Sequence, residues 1–391
     1  MARPIEKSTS PFGSATPAHV SEPDDLAAAL PPPPQLGRSF LEWTRNPPHA
    51  SGRGVGAIDR GPAVGSPATT RAKSRGFLIV LALVTLVPLV GVPLYFLVGG
   101  GLFPGALTVL AITGPMHVAS TSFFYFDRDF WPVIRESRLR SLWSLGWAPL
   151  GVLATGLAIG AMIGRPWAYM LVFGFQNGWL FYHYQRQNFG LLSFISTNVG
   201  CGRVPPRVNT VLNLAALGAL ISMLGVPGFC LATGGIVTAR AALVMWNVGT
   251  ALYVLSLVMM IWVVYREPRL RQNAWLTAGL ILGMAFFLPS FLFRSIALAF
   301  LPYAIAHGAQ YILMMSVLSG RSSRGWVALL TMCALGVTIG YTIDTMRAWP
   351  LVLVYTGIVQ VHFLLDAKVW RLREPQQRAI MNDRFNFLLA H

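Results

Sequence analysis

The chain has 391 residues, 54% of them hydrophobic and only 11% charged, with a mean hydropathy of +0.56. A water-soluble domain carries about 25% charged residues, so this composition excludes a chain built wholly for water. The net charge of +16 does not signal nucleic acid. The Lys and Arg residues form no single patch, and instead sit in short clusters between apolar runs, as in loops facing an anionic lipid leaflet.

Residues 1–72 are rich in Pro, Ser, Gly and Ala, include Pro31-Pro32-Pro33-Pro34 and hold no sustained apolar period. Such a composition predicts a disordered cytoplasmic tail, and no apolar core follows its charges as in a signal peptide. From Gly76 onward ten segments each approach the ~20 residues that cross a bilayer. They run over 76–98, 102–126, 142–164, 166–188, 208–226, 241–265, 274–292, 294–319, 325–343 and 348–370. The fifth, seventh and ninth are the weakest candidates, and the fourth is expected to continue as an interfacial helix toward Ser196. The expected fold class is therefore all-α: a polytopic integral membrane helix bundle of about ten transmembrane helices over 73–373, with 374–391 as a short cytoplasmic C-terminal tail.

Charge supports the alternation. With the N-terminus placed inside, the loops on that side and the C-terminal segment carry 17 Lys and Arg residues after the first helix. The other side has only Arg165, Arg240, Arg294 and Arg347. That bias predicts a cytoplasmic (inner) membrane protein with both termini cytoplasmic and the lipid bilayer as its partner. Glycines four apart, Gly156/Gly160/Gly164, Gly174/Gly178 and Gly336/Gly340, predict seams where helix backbones approach closely. Cys201, Cys230 and Cys333 show no metal or redox spacing and read as free structural thiols.

Four histidines stand out. His117, His183, His307 and His362 fall in the second, fourth, eighth and tenth segments, all running outside to inside and all in the inner half of the bilayer or at its edge. A lone intramembrane histidine is ordinarily a packing residue hydrogen-bonded to a neighbouring helix. Four at one level, in a chain so poor in ionisable groups, point instead to a shared site, because polar groups in the membrane are costly and usually functional. Each has polar company three or four residues on, on the same helix face: Ser120 and Thr121, Arg186 and Gln187, Gln310 and Tyr311, and Asp366. Metal-bound imidazoles use such groups to fix their tautomer, so Asp366, Gln187, Gln310 and Tyr311 are candidate orienting residues. Arg186 is a candidate contact for an anionic headgroup or substrate end. The competing reading of Asp366 is an interfacial ion pair with Lys368 or Arg371. Aromatics nearby (Phe123, Phe124, Tyr125, Phe173, Phe175, Trp179, Phe181) would either line an apolar substrate channel or simply pack.

All-imidazole ligation without thiolate suits Fe, Cu or Zn. Four ligands with open positions fit non-haem Fe(II) acting on a lipid-soluble small molecule, whereas two facing pairs would fit bis-histidine haem b. An all-helical membrane chain carrying His117, His183, His307 and His362 on separate helices resembles the Brp/Blh family of bacterial membrane β-carotene dioxygenases. That resemblance implies histidine-bound iron, O2 and a carotenoid-like substrate. The chain lacks a His-x-x-x-His pair on one helix, and its ten segments exceed what that family leads one to expect. Stretches such as Tyr182–Gly190 and His362–Arg371 also resemble uncharacterised bacterial multi-pass proteins. The other functional class is a transporter using the histidines as a proton relay, with Pro302 breaking the eighth helix near the midplane. No Walker loop, Rossmann fingerprint or Ser/His/Asp set is present, and no nucleotide or hydrolase chemistry is assigned.

Overall fold

The computed structural model describes residues 67–98, 114–130, 132–133, 166–228, 237–320, 323–346, 349–372 and 374–389. The tail before residue 67, the third predicted segment, Gly156, Gly160, Gly164 and Cys230 lie outside the described residues. Every regular element among those described is helical. They are α1 (Pro67–Leu97), α2 (114–120), α3 (Phe123–Phe126), α4 (Pro166–Asn198), α5 (Pro206–Leu224) and α6 (Ala239–Arg266). There follow α7 (Ala274–Ala285), α8 (Pro289–Leu292), α9 (Ile296–Ser319), α10 (Ser323–Met346), α11 (Trp349–Val369), α12 (Pro375–Arg384) and α13 (Asn386–Leu389). Among the described residues, four stretches, Thr69–Leu97, Pro206–Leu224, Ala239–Arg266 and Leu298–Ser319, are long and apolar enough to cross a membrane. The chain is thus an all-helical protein suited to a membrane environment.

The helices are apolar on both faces, and they differ by what each face touches. On α1, Phe77, Leu81, Thr85 and Leu89 are buried, while Ile79, Leu83, Val87, Val90 and Leu94 are exposed. Both stripes follow the helical spacing of three and four. An exposed apolar stripe of this length is disfavoured in water and natural against lipid. On α6 the buried set Gly249, Tyr253, Ser256, Met260 and Val263 alternates by four and three, the spacing of a left-handed helix pair. Its partner is α5, and the two backbones nearly touch. A Cβ added to Gly218 would lie 2.8 Å from the Gly249 carbonyl oxygen, and one on Gly249 would lie 2.5 Å from the Gly218 carbonyl oxygen.

Several predicted segments are reshaped. The seventh is not one helix: α7 stops at Ala285, a turn over 286–288 intervenes, and α8 restarts at Pro289. Proline lacks the N–H that would continue the ladder and is tolerated only at a helix start. The 12 residues of α7 rise only about 18 Å, too short to span alone. Pro302, expected to break the eighth segment, lies inside α9 without ending it, as proline often does within membrane helices whose neighbours satisfy the freed groups. The fourth segment does extend, as one 33-residue helix to Asn198. It ends where Gly200 and Gly202, with φ of 72° and 70°, turn the chain in a conformation that glycine adopts without strain. Cys201 and Cys333 are free thiols.

The stretch read as a C-terminal tail forms α12 and α13, packed against one end of the bundle. Phe385 meets Phe194 and Trp370, and Phe387 meets Phe77. Arg384 donates to the Leu318 carbonyl at 2.8 Å and pairs with Asp127 at 3.2 Å and with Asp129. The chain's last helices are thereby tied to the exit of α3.

Gly249→Ala is expected to lower the stability of the bundle by roughly 1–3 kcal/mol through overpacking, read as a fall in the SDS-induced unfolding midpoint. Gly174→Ala, whose Cβ meets nothing within 4 Å, is expected to leave that midpoint in place.

Candidate metal centre

The four intramembrane histidines come together. His117 on α2, His183 on α4, His307 on α9 and His362 on α11 are all buried, with one ring nitrogen from each lying within 4.8 Å of the others. Around the ring of four, centroids are 4.8 Å apart for His117–His307, 5.0 Å for His307–His183, 5.0 Å for His183–His362 and 4.7 Å for His362–His117. Interplanar angles of 88°, 77°, 69° and 83° set each ring edge-on to the next. The result is a square pinwheel of imidazoles. Its outer walls are aromatic: Phe363 covers His183 at 4.4 Å and Tyr184 covers His307 at 4.2 Å between centroids.

Each histidine is placed by a recognisable device. His117 sits on a short helix held against α10, where an added Cβ on Gly336 would fall 2.6 Å from Met116 Cα. Only glycine permits that approach, which bears out Gly336 as a seam residue. The expected Gly174/Gly178 seam is not a close approach, since Gly178 meets only Leu220 at an ordinary 3.6 Å and Gly174 meets nothing. His183 lies beside the inward stripe Phe181, Tyr184, Gln185 and Asn188 of α4, while Trp179, Tyr182 and Arg186 face outward. That register also accounts for Arg186. Its guanidinium lies 5.9 Å from the Phe189 ring centroid, on the exposed side of α4 rather than at the imidazoles.

Of the proposed orienting residues, all four are within the network. Tyr311 donates to Asp366 Oδ1 at 2.7 Å. The Asp366 carboxylate lies 3.8 Å from both His183 Nε2 and His362 Nδ1, and Asp366 is buried there rather than in an ion pair with Lys368 or Arg371 at the rim. Gln187 donates to the His307 carbonyl at 3.2 Å and to Gln310 Oε1 at 3.0 Å. Gln310 in turn donates to Thr85 Oγ1 at 2.9 Å.

Thr121 was placed next to His117 by spacing, yet it serves another ring. The helix is broken at 121–122, and the Thr121 hydroxyl lies 2.6 Å from His362 Nδ1 and 2.9 Å from the Tyr311 hydroxyl. If Asp366 is ionised, proton counting gives one direction. The Tyr311 hydroxyl proton goes to Asp366, so Tyr311 oxygen accepts from Thr121, and the Thr121 oxygen accepts from His362. His362 therefore carries its proton on Nδ1, leaving the Nε2 lone pair turned to the centre. His362 Nε2 lies 3.1 Å from His117 Nε2. Two nitrogens bound to one metal at 2.0–2.1 Å are separated by roughly 2.9 Å at a right angle and 3.3 Å at a tetrahedral one, so this pair already has the separation of two ligands. At His307 both ring nitrogens are buried without a hydrogen-bond partner among the described residues. A buried unpaired nitrogen costs on the order of 1–3 kcal/mol, and a cation at the centre would remove that cost for the one nitrogen turned toward it. The donor set fits a metal ion.

Of the aromatics suggested for a channel, Phe124 and Phe181 are packing residues and Trp179 faces outward. Phe124 lies against Phe130 and Trp370, and Phe181 against Phe287 and Tyr303. No protein-family model, characterised protein or solved structure matches the chain, so the reading of this centre stands on its own geometry.

Thr121→Val and Tyr311→Phe each cut the donor chain that holds the His362 tautomer. Either is expected to weaken metal binding by about 10- to 100-fold in a chelator-competition titration, with no loss of membrane insertion.

Proposed function

We propose that the protein is an integral membrane metalloprotein in which His117, His183, His307 and His362 hold a single iron(II) ion for oxygenase chemistry on a lipid-soluble substrate. The observation that supports this best is the convergence of four buried imidazoles on one point, with the proton of His362 directed away from it. Imidazole ligands without thiolate suit iron, copper or zinc, and four of them leave positions open on an ion that prefers six. Iron bound there would supply redox chemistry toward O2. The chain's own groups hold the rings in register: Asp366, Tyr311 and Thr121 fix the proton of His362, while Gln187 and Gln310 tie α4 to α9 beside His307. The aromatic walls exclude water. The resemblance to the membrane β-carotene dioxygenases supports a polyene substrate, whose cleaved double bond would take up both atoms of O2 as two carbonyl groups. The arrangement of about ten spans in a cytoplasmic membrane with both termini inside rests on the charge asymmetry of the loops.

Haem fits the same residues less well. A porphyrin would occupy the four equatorial positions around its iron, and here neighbouring imidazole centroids are no more than 5.0 Å apart, which leaves no room for a macrocycle between them. A proton-relay transporter would use the rings one after another along a path, whereas these four close on themselves.

Elemental analysis and an absorption spectrum of the purified protein test the proposal. The expected result is about one iron per chain, as a mononuclear site requires, without a Soret band. His307→Ala or His362→Ala is expected to abolish metal retention while membrane insertion persists. A Soret band would replace this reading with haem, and metal-free wild-type protein would replace it with the relay.

A further inference from the structure

The end of the α5–α6 pair at which α5 starts and α6 stops is strongly basic. Arg203 and Arg207 lead into α5, and Arg266, Arg269 and Arg271 leave α6, with Glu267 as the one carboxylate in those stretches. Glu267 pairs with Arg269 at 3.5 Å. The other four arginines are exposed and pair with no carboxylate among the described residues. Three of them lie against aromatic rings instead. The guanidinium carbons of Arg207 and Arg266 are 5.6 Å and 5.7 Å from the Trp262 ring centroid, and that of Arg271 is 5.9 Å from the Tyr265 centroid.

A ring draws a guanidinium by its charge and offers it no acceptor oxygen, so the N–H donors of Arg207 and Arg266 remain available to an anion. Trp262 and Tyr265 are themselves 46% and 69% exposed. Away from the arginines the same face of α6 continues as Val254, Leu255, Val258 and Ile261, all exposed. Positions 254, 258, 261 and 265 differ by four, three and four, the spacing of one helix face. Within roughly 18 Å of helix this face passes from aliphatic to aromatic to cationic. A phospholipid changes in the same order along its own length, from acyl chains through the glycerol interface to the phosphate.

We propose that this rim of α5 and α6 is a docking site for an anionic phospholipid. Its phosphate accepts from Arg207 and Arg266 beside Trp262, and its acyl chains lie along Val258, Leu255 and Val254. The aliphatic stripe adjoining the arginines is what favours a lipid over a water-soluble anion, which would leave that stripe uncovered. Two guanidiniums with no carboxylate partner favour a headgroup of net negative charge, because they repel the ammonium of a zwitterionic one. The site shares no residue with the four-histidine centre and does not rest on the function assigned to it.

The test titrates the full-length protein in detergent with phosphatidylglycerol or phosphatidylcholine of identical acyl chains, and reads bound lipid by native mass spectrometry. Phosphatidylglycerol is expected to bind about 10- to 30-fold more tightly, since each basic residue near an anionic headgroup contributes about fivefold. Arg207→Gln/Arg266→Gln is expected to remove most of that preference. Arg240→Gln/Arg269→Gln loses the same charge, one arginine from the other end of α6 and one already paired with Glu267, and is expected to keep it. Equal binding of the two lipids to the wild type, a preference that survives Arg207→Gln/Arg266→Gln, or equal loss in both double variants would overturn the site. Excess glycerol 3-phosphate is expected not to displace the lipid; displacement would give the arginines to a soluble phosphate instead. Phosphatidylglycerol carrying an acyl-chain diazirine decides the matter on the wild type, should the variant fail to insert. Its label is expected within residues 254–265, and labelling spread evenly over the bundle, or matched by the phosphatidylcholine probe, would sink the assignment. Metal content is expected to be unchanged in both double variants, so failure of the lipid site and failure of the metal centre are told apart.

Discussion

Lone pairs dominate the centre of this protein. Neutral imidazoles attract one another only when one offers a proton and the next accepts it. With Asp366 ionised, His362 commits its proton outward to Thr121, and His307 finds no partner for either nitrogen among the described residues. Among the rings, His117 Nε2 and His362 Nε2 share one hydrogen bond, at 3.1 Å, and otherwise the helices hold the imidazoles together. A cation at the centre would replace that bond with bonds to the inward lone pairs. The surrounding features serve the constraint. Glycine at position 336 brings the His117 helix close, Gln187 ties two histidine helices together, and Phe363 and Tyr184 brace the rings from behind.

The network around the rings is directional, and that separates it from generic polar packing. A chain from His362 through Thr121 and Tyr311 to Asp366 has one proton arrangement once the carboxylate is the final acceptor. Asp366 therefore acts at a distance: it does not touch the centre, yet it determines which nitrogen of His362 faces inward. The break at 121–122 is what delivers the threonine. An unbroken helix would hold its hydroxyl on the His117 face, and the chain would lack its middle link.

The four histidines and their orienting groups were legible in the sequence because so few ionisable residues interrupt the apolar segments. Spacing of three and four identified faces correctly for Gln187, Gln310, Tyr311 and Asp366. It could not say which ring each would serve, since that depends on helix adjacency, and Thr121 went to His362 rather than His117. Arg186 shares the spacing but falls on the outward stripe with Trp179 and Tyr182. The close helix crossing at Gly218 and Gly249 was invisible as a motif because each helix contributes one glycine from a different register. Of the repeated glycines, Gly336 does meet a backbone, whereas at 174 and 178 no backbone comes near among the described residues. The division of the seventh segment was hinted at by Pro289, yet Pro302 carried the same hint and α9 runs straight through it; neighbouring packing decides between the two outcomes.

The tie between Arg384 and the aspartates at 127 and 129 has a temporal meaning. Translation proceeds from the N-terminus, so the helix bearing the first histidine is made long before the residue that fastens its exit. The segment of α12 and α13 is the last part of the described chain to be synthesised. Until it docks, the end of the bundle beneath Trp370 stays unfastened and the early histidine segment is free to shift. Assembly of the centre is in this way coupled to completion of the polypeptide, and a prematurely terminated chain would hold all four imidazoles but lack the strap across their base.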